Sequence, residues 1–212
     1  MERPVSFYPD KSSAPDAEKK AVVTGFTSGV GGSGTTSAAL MLARNYAELC
    51  GMKAAFLSLD LIASKSCVKK ASSVRTLFDV FFNGDPVDPE KLFVKDSSGV
   101  FRMPAEGYRN PLTLLDTEDL VYVMDLLRPH FDRIVMDVPI SCDQAPGVLS
   151  ACDSVVVCFG WQDKLFGLSE ELYLMLSEEC VNVHRFFCFH DEDEPDLYGQ
   201  LGSEVRRLAK EL

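Results

Sequence analysis

Residues 21–44 read AVVTGFTSGVGGSGTTSAALMLAR, and the reading of this stretch decides the fold. Ala21 to Gly25 is a short apolar run that predicts a buried strand. The glycine-rich segment Gly29 to Ser37 (GVGGSGTTS) then leads into apolar residues at helical spacing: Ala39, Leu42, Ala43, Tyr46 and Leu49. Gly51 predicts the stop of that helix. A glycine turn between a strand end and a helix start gathers backbone N–H groups at the positive end of a helix dipole, which makes an anion site.

Working outward, Lys53 to Asp60 (KAAFLSLD) predicts a second strand. A helix from about Ser72 carries Val74, Leu77, Phe78, Phe81 and Phe82 on its buried side and ends at Asn83-Gly84. LFVK, a DSSG turn and VFRMP predict a hairpin, or two extended pieces, around Gly99. Asp116 or Thr117 caps a helix with Leu120, Val123, Met124 and Leu127 inward, closed by Pro129. RIVMDV (133–138) and SVVVCF (154–159) are continuous apolar runs, the pattern of parallel strands covered on both faces. Leu165 to Cys180 predicts a helix, Arg185 to Phe189 a strand, HDEDEPD an acidic loop and Gly202 to Leu212 a closing helix. Strands alternating with helices predict an α/β fold with a doubly wound, mostly parallel sheet flanked by helices, binding its ligand at the carboxyl ends of the strands.

Residues 1–20, with Pro4, Pro9 and Pro15 and no periodicity, read as a flexible leader, and residues 21–212 as one domain. A net charge of -11 argues against sequence-independent nucleic acid binding, which depends on Lys and Arg displacing counterions. The seven cysteines are odd in number and scattered, without a CxxC pair, as in a reduced, cytoplasmic protein. No apolar run approaches the roughly 20 residues of a transmembrane segment.

The loop matches the phosphate-binding pattern GxxxxGK(S/T) except for its charge. Gly29 and Gly34 are in register, Thr36 holds the hydroxyl position, and Thr35 stands where the lysine belongs. Asp60 ends the second strand and Asp137 ends RIVMDV, where such proteins present acidic groups to Mg²⁺ and water. Two readings remain open: a loop that binds phosphate, and a structural loop that keeps only the shape.

Val30-Gly31-Gly32-Ser33-Gly34-Thr35-Thr36-Ser37 resembles the KGGxGKTT loop of the MinD/ParA class of P-loop ATPases, which is followed by a DxD strand end. By that resemblance Val30 replaces the signature lysine that reaches across a dimer, and Thr35 the lysine on the β and γ phosphates. The resemblance implies a cradle for ATP or ADP made by Gly29, Gly31, Gly32, Ser33, Gly34, Thr35, Thr36 and Ser37. Thr36 becomes the Mg²⁺ hydroxyl, Asp137 a magnesium ligand through water, and Asp60 the residue that positions the attacking water, while Ser58 replaces the first aspartate. FCFHDED stands where the class has an asparagine–arginine pair near adenine. The lysine-poor loop and the VFRMPA segment are most similar to the CpaE/TadZ branch, associated with pilus assembly and polar localisation. That branch implies a cytoplasmic homodimer that recruits a protein partner, is itself drawn to a pole or membrane, and hydrolyses ATP weakly or not at all. The alternatives are a nucleotide-free pseudo-ATPase scaffold and a relative of the capsule-type tyrosine kinases, whose VDTPP segment resembles MDVPI but whose tyrosine-rich tail is here reduced to Tyr198.

Overall fold

The computed structural model describes residues 21–60, 68–69, 88, 92–105, 111–161, 167–180, 182–188 and 197–212. The leader 1–20, the expected helix from Ser72 and the acidic loop lie outside them. Strands β1 (Val22–Thr27), β2 (Ala54–Ser58), β3 (Val68–Lys69), β4 (Val94–Lys95), β5 (Phe101–Arg102), β6 (Pro104–Ala105), β7 (Arg133–Asp137), β8 (Ser154–Phe159) and β9 (Val183–Phe187) alternate with helices. These are α1 (Thr35–Arg44), α2 (Thr117–Leu127), α3 (Ala145–Ser150), α4 (Leu168–Glu179) and α5 (Gln200–Leu208). Seven strands form the main sheet in the order β4-β5-β2-β7-β1-β8-β9. Every pairing in it is parallel except β4 with β5. A separate two-stranded parallel sheet pairs β3 with β6.

Strand β8 shows why the continuous apolar runs are central. Val155, Val157 and Phe159 face a core formed with α2, α3 and α4, while Val156 and Cys158 face a second core under α1 and α5. With both faces covered, no polar alternation survives in the sequence. The anticipated hairpin is present: Asp96 accepts from the Ser98 and Val100 N–H groups and turns β4 into β5. Asp116 caps α2, its Oδ1 accepting from Asp119 N at 2.9 Å.

Several boundaries differ from the sequence expectation: β1 runs on to Thr27, past the expected end at Gly25, and β2 is confined to Ala54–Ser58. The apolar stripe of α1 fails at Leu49, which is 42% exposed, because the chain widens into a π-turn over Asn45–Leu49. Five residues in that wider turn rotate the side chains that follow out of the α-helical phase. Strand β9 starts at Val183, ahead of the RFFCF run, because its register is set by β8. The closing helix starts at Gln200 and its regular part ends at Leu208.

The register fixes the site. Phe26 of β1 and Ser58 of β2 both pair with Asp137 of β7, so the entry to the glycine loop, Ser58 and Asp137 meet at one edge of the sheet.

Candidate functional site

The loop that leaves β1 places Gly32 and Gly34 at φ +82° and +75°, conformations that side-chain-bearing residues adopt only with strain. Gly34 is the N-cap of α1 and offers no side-chain cap, so the first-turn N–H groups face the loop concavity. Gly31 and Gly32 are exposed on its rim and Ser37 is exposed in the first helical turn.

Beneath the loop, Asp137 is almost completely buried at 1% exposure. Its Oδ2 accepts from Thr36 Oγ1 at 2.8 Å and from Ser58 Oγ at 3.0 Å. Burial pushes its pKa up, the two hydroxyls pull it partly back, and the neighbouring Asp60 carboxylate adds to the rise. Asp60 is half-buried, and its N–H donates to the same Ser58 hydroxyl at 3.1 Å. Sequence reasoning placed Thr36, Asp60 and Asp137 together, and the structure gathers all three, with the Ser58 hydroxyl joining the Asp60 backbone N–H to the Asp137 carboxylate.

Thr35 does something the sequence did not foretell. Its hydroxyl turns into the loop and donates to Ser28 Oγ at 2.9 Å. Ser28 Oγ donates onward to the Val30 carbonyl at 3.0 Å, and Ser33 Oγ donates to the same carbonyl at 2.8 Å. Thr35 thus forms part of an internal brace. Under it lies Cys158, fully buried, whose thiol pKa burial and the adjacent Cys188 push well up. Cys188 approaches Gly34 so closely that a Cβ there would stand 3.1 Å from the Cys188 Cβ.

Gly29 is committed differently from its neighbours. Its N–H donates to Ser169 Oγ at 2.9 Å, and a Cβ on Gly29 would lie 2.5 Å from the Leu168 carbonyl carbon. It therefore serves as the close backbone contact between the loop and the start of α4, a contact spanning 140 residues of sequence. Ser28 and Ser169 are the two site residues that sequence reading missed. Ser28 carried a weak signal as a hydroxyl directly before the loop, and Ser169 carried none.

Other candidates resolve simply. The Cys142 thiol donates to Gln144 Oε1 at 2.8 Å, an ordinary loop contact. Among the described residues no group of three or more His, Cys, Asp or Glu side chains is arranged to hold a metal by itself. Among them, too, no helix is long and apolar enough to cross a membrane.

The oxygen donors of Thr36 and Asp137 suit a hard cation such as Mg²⁺. The glycine turn and uncapped helix start suit a diphosphate. Within the loop, Val30 is aliphatic and Thr35 is turned inward, so neither side chain offers a positive charge to a phosphate.

Solved structures share this arrangement of strands and helices. The ParA family ATPase of Chlorobium tepidum matches with a TM-score of 0.64 at 15% identity, over 91% of this chain and 81% of that one. The fold is that of the MinD/ParA P-loop proteins. MinD of Pyrococcus horikoshii, solved with Mg-ADP, shares the MinD/ParA fold with a TM-score of 0.57 and 18% identity, over 77% of this chain and 68% of that one. The kinase domain of the Escherichia coli tyrosine kinase ETK matches with a TM-score of 0.58 and 17% identity, over 86% and 73%. No protein-family model matches the sequence and no curated protein matches it, so the likeness is one of structure.

Proposed function

We propose that this chain is a MinD/ParA-like nucleotide-binding protein whose degenerate phosphate loop takes Mg²⁺-ADP or Mg²⁺-ATP weakly and hydrolyses ATP very slowly or not at all. One observation carries the reading. Thr36 and Ser58 both hydrogen-bond the buried Asp137 under a glycine loop, while Thr35 spends its hydroxyl on Ser28. When bound, magnesium supplies charge stabilisation at the phosphate oxygens. The chain's own part is to present loop amides to the phosphates, to hold the ion through Thr36 and, across a water, Asp137, and to place Asp60 near the attacking water. Phosphoryl transfer depends on positioned positive charge, and Val30 and Thr35 supply none.

In this reading the protein acts as a cytoplasmic recruitment or positioning factor of the CpaE/TadZ kind, dimeric and docked to a protein partner at a pole or membrane. Ile140, Trp161 and Leu168 support the dimer: they are 39%, 50% and 45% exposed on segments bordering the loop. Native mass spectrometry of freshly purified protein tests both parts, through mass doubling and retained nucleotide. Brisk, contaminant-free ATPase activity would refute the claim about hydrolysis.

A nucleotide-free scaffold is the second reading, favoured by the internal brace of Ser28, Ser33 and Thr35, which steadies the loop without a ligand. Calorimetry with Mg²⁺-ADP separates the two, because the scaffold gives no binding heat.

A further inference from the structure

We infer that the site reads the diphosphate of its nucleotide and does not sense the γ-phosphate, so that ADP and ATP forms of the protein are equivalent. The inference rests on the nucleotide-binding reading above and specifies what that site can distinguish.

The inner and outer halves of the loop are built differently. The inner half offers backbone donors: the positive-φ Gly32 and Gly34, and the first turn of α1, which no side chain caps. Backbone amides at a helix start bind phosphate whatever the charge of neighbouring side chains. The outer half, where a third phosphate would lie by the fold, offers no side-chain cation from the loop. Val30 has no polar atom, and its carbonyl is already shared by Ser28 and Ser33. Thr35 is held against Ser28. The strand ends below carry the carboxylates of Asp60 and Asp137, and the described side chains that donate to Asp137 are the hydroxyls of Thr36 and Ser58.

A γ-phosphate therefore adds negative charge on the side of two carboxylates and gains no charge-assisted hydrogen bond from the loop. Such a bond ordinarily raises affinity by about ten- to a hundredfold, which is the margin by which a lysine-bearing loop favours the triphosphate. Without it, Mg²⁺-ADP binds at least as tightly as Mg²⁺-ATP. A protein that cannot tell the two apart is not timed by hydrolysis, and its recruitment must be set by its partner or by its own abundance.

The test is calorimetric titration of the full chain with Mg²⁺-ADP, Mg²⁺-ATP and a non-hydrolysable ATP analogue, with the oligomeric mass measured by light scattering in each state. The expected result is dissociation constants within about threefold of one another and one mass throughout. Thr35→Lys should then shift the ratio about tenfold toward ATP, whereas Ser28→Ala should weaken both nucleotides equally. Triphosphate binding tenfold tighter than diphosphate in the unmodified chain, or a dimer formed with ATP alone, overturns the inference and leaves nucleotide binding standing. No binding of either nucleotide overturns both.

Discussion

The two ends of the central sheet treat buried charge in opposite ways. At the amino ends of the strands Arg128 is 5% exposed and its charge is paired: its guanidinium donates to Asp153 at 2.6 Å and to the Ala21 carbonyl at 2.8 Å. Asp153 in turn accepts from Val23 N at 2.8 Å, so one ion pair pins the start of β1 to the turn before β8. At the carboxyl ends Asp137 is buried still more completely, yet two hydroxyls are all that the described side chains donate to it. A compensated charge is a structural rivet. A buried carboxylate given only hydroxyls costs stability, and under the proposed function its role is to receive an ion.

Breaking the rivet should have the largest effect. Arg128→Ala strands the Asp153 carboxylate and the Ala21 carbonyl, and should destabilise the fold by about 3 kcal/mol in urea unfolding. Its effect on nucleotide affinity, measured well below the unfolding midpoint, should be small, since it lies at the far end of the sheet.

Next in size is Gly29→Ala at the other end. Its Cβ would meet Leu168 and Ser169 backbone atoms at 2.5–2.6 Å, which neither segment can relieve by a rotamer change. The loop and α4 must separate, costing about 2 kcal/mol. Here stability and calorimetric affinity should fall together. If affinity survives intact, the contact is mere packing.

Ser169→Ala removes the acceptor of the Gly29 N–H and should cost about 1 kcal/mol. A thermal melt reads this, and rescue by Ser169→Thr would show that the hydroxyl matters.

The smallest effect should have the reverse sign. Asp137 is held above the ordinary carboxylate range by burial, so the folded state takes up its proton more readily than the unfolded chain. Stability contributed by that proton is fully present below the unfolded pKa and is lost as pH rises through the raised folded value. Asp137→Asn should therefore melt higher than the parent at pH 7, and the advantage should shrink as pH falls through the carboxylate range. The same variant should lose any Mg²⁺-dependent gain in melting temperature. A variant that melts lower at pH 7 would place Asp137 with Arg128 as a stabilising charge and end the contrast between the two ends.

Much of this was legible in the chain. SVVVCF and RIVMDV announced themselves because strands buried on two faces need apolar side chains throughout, and Asp116 announced α2 because a capping carboxylate sits next to the amides it satisfies. The loop spacing placed Thr36 at the helix start, and the strand ends placed Asp60 and Asp137 beside it. All of these signals are local, or repeat with the period of one element. That a threonine, Thr35, follows Gly34 was equally plain, because it is a matter of residue identity.

What only the tertiary structure decided is where the polar groups spend their hydrogen bonds. The inward turn of Thr35 onto Ser28, the Ser169 contact to Gly29 and the Arg128–Asp153 rivet join residues between 7 and 140 positions apart. Their partners are fixed by sheet register and helix docking, which no local pattern encodes. The phase slip at Leu49 belongs with them: a π-turn breaks the periodicity on which the sequence reading relied, and packing alone decides where it falls.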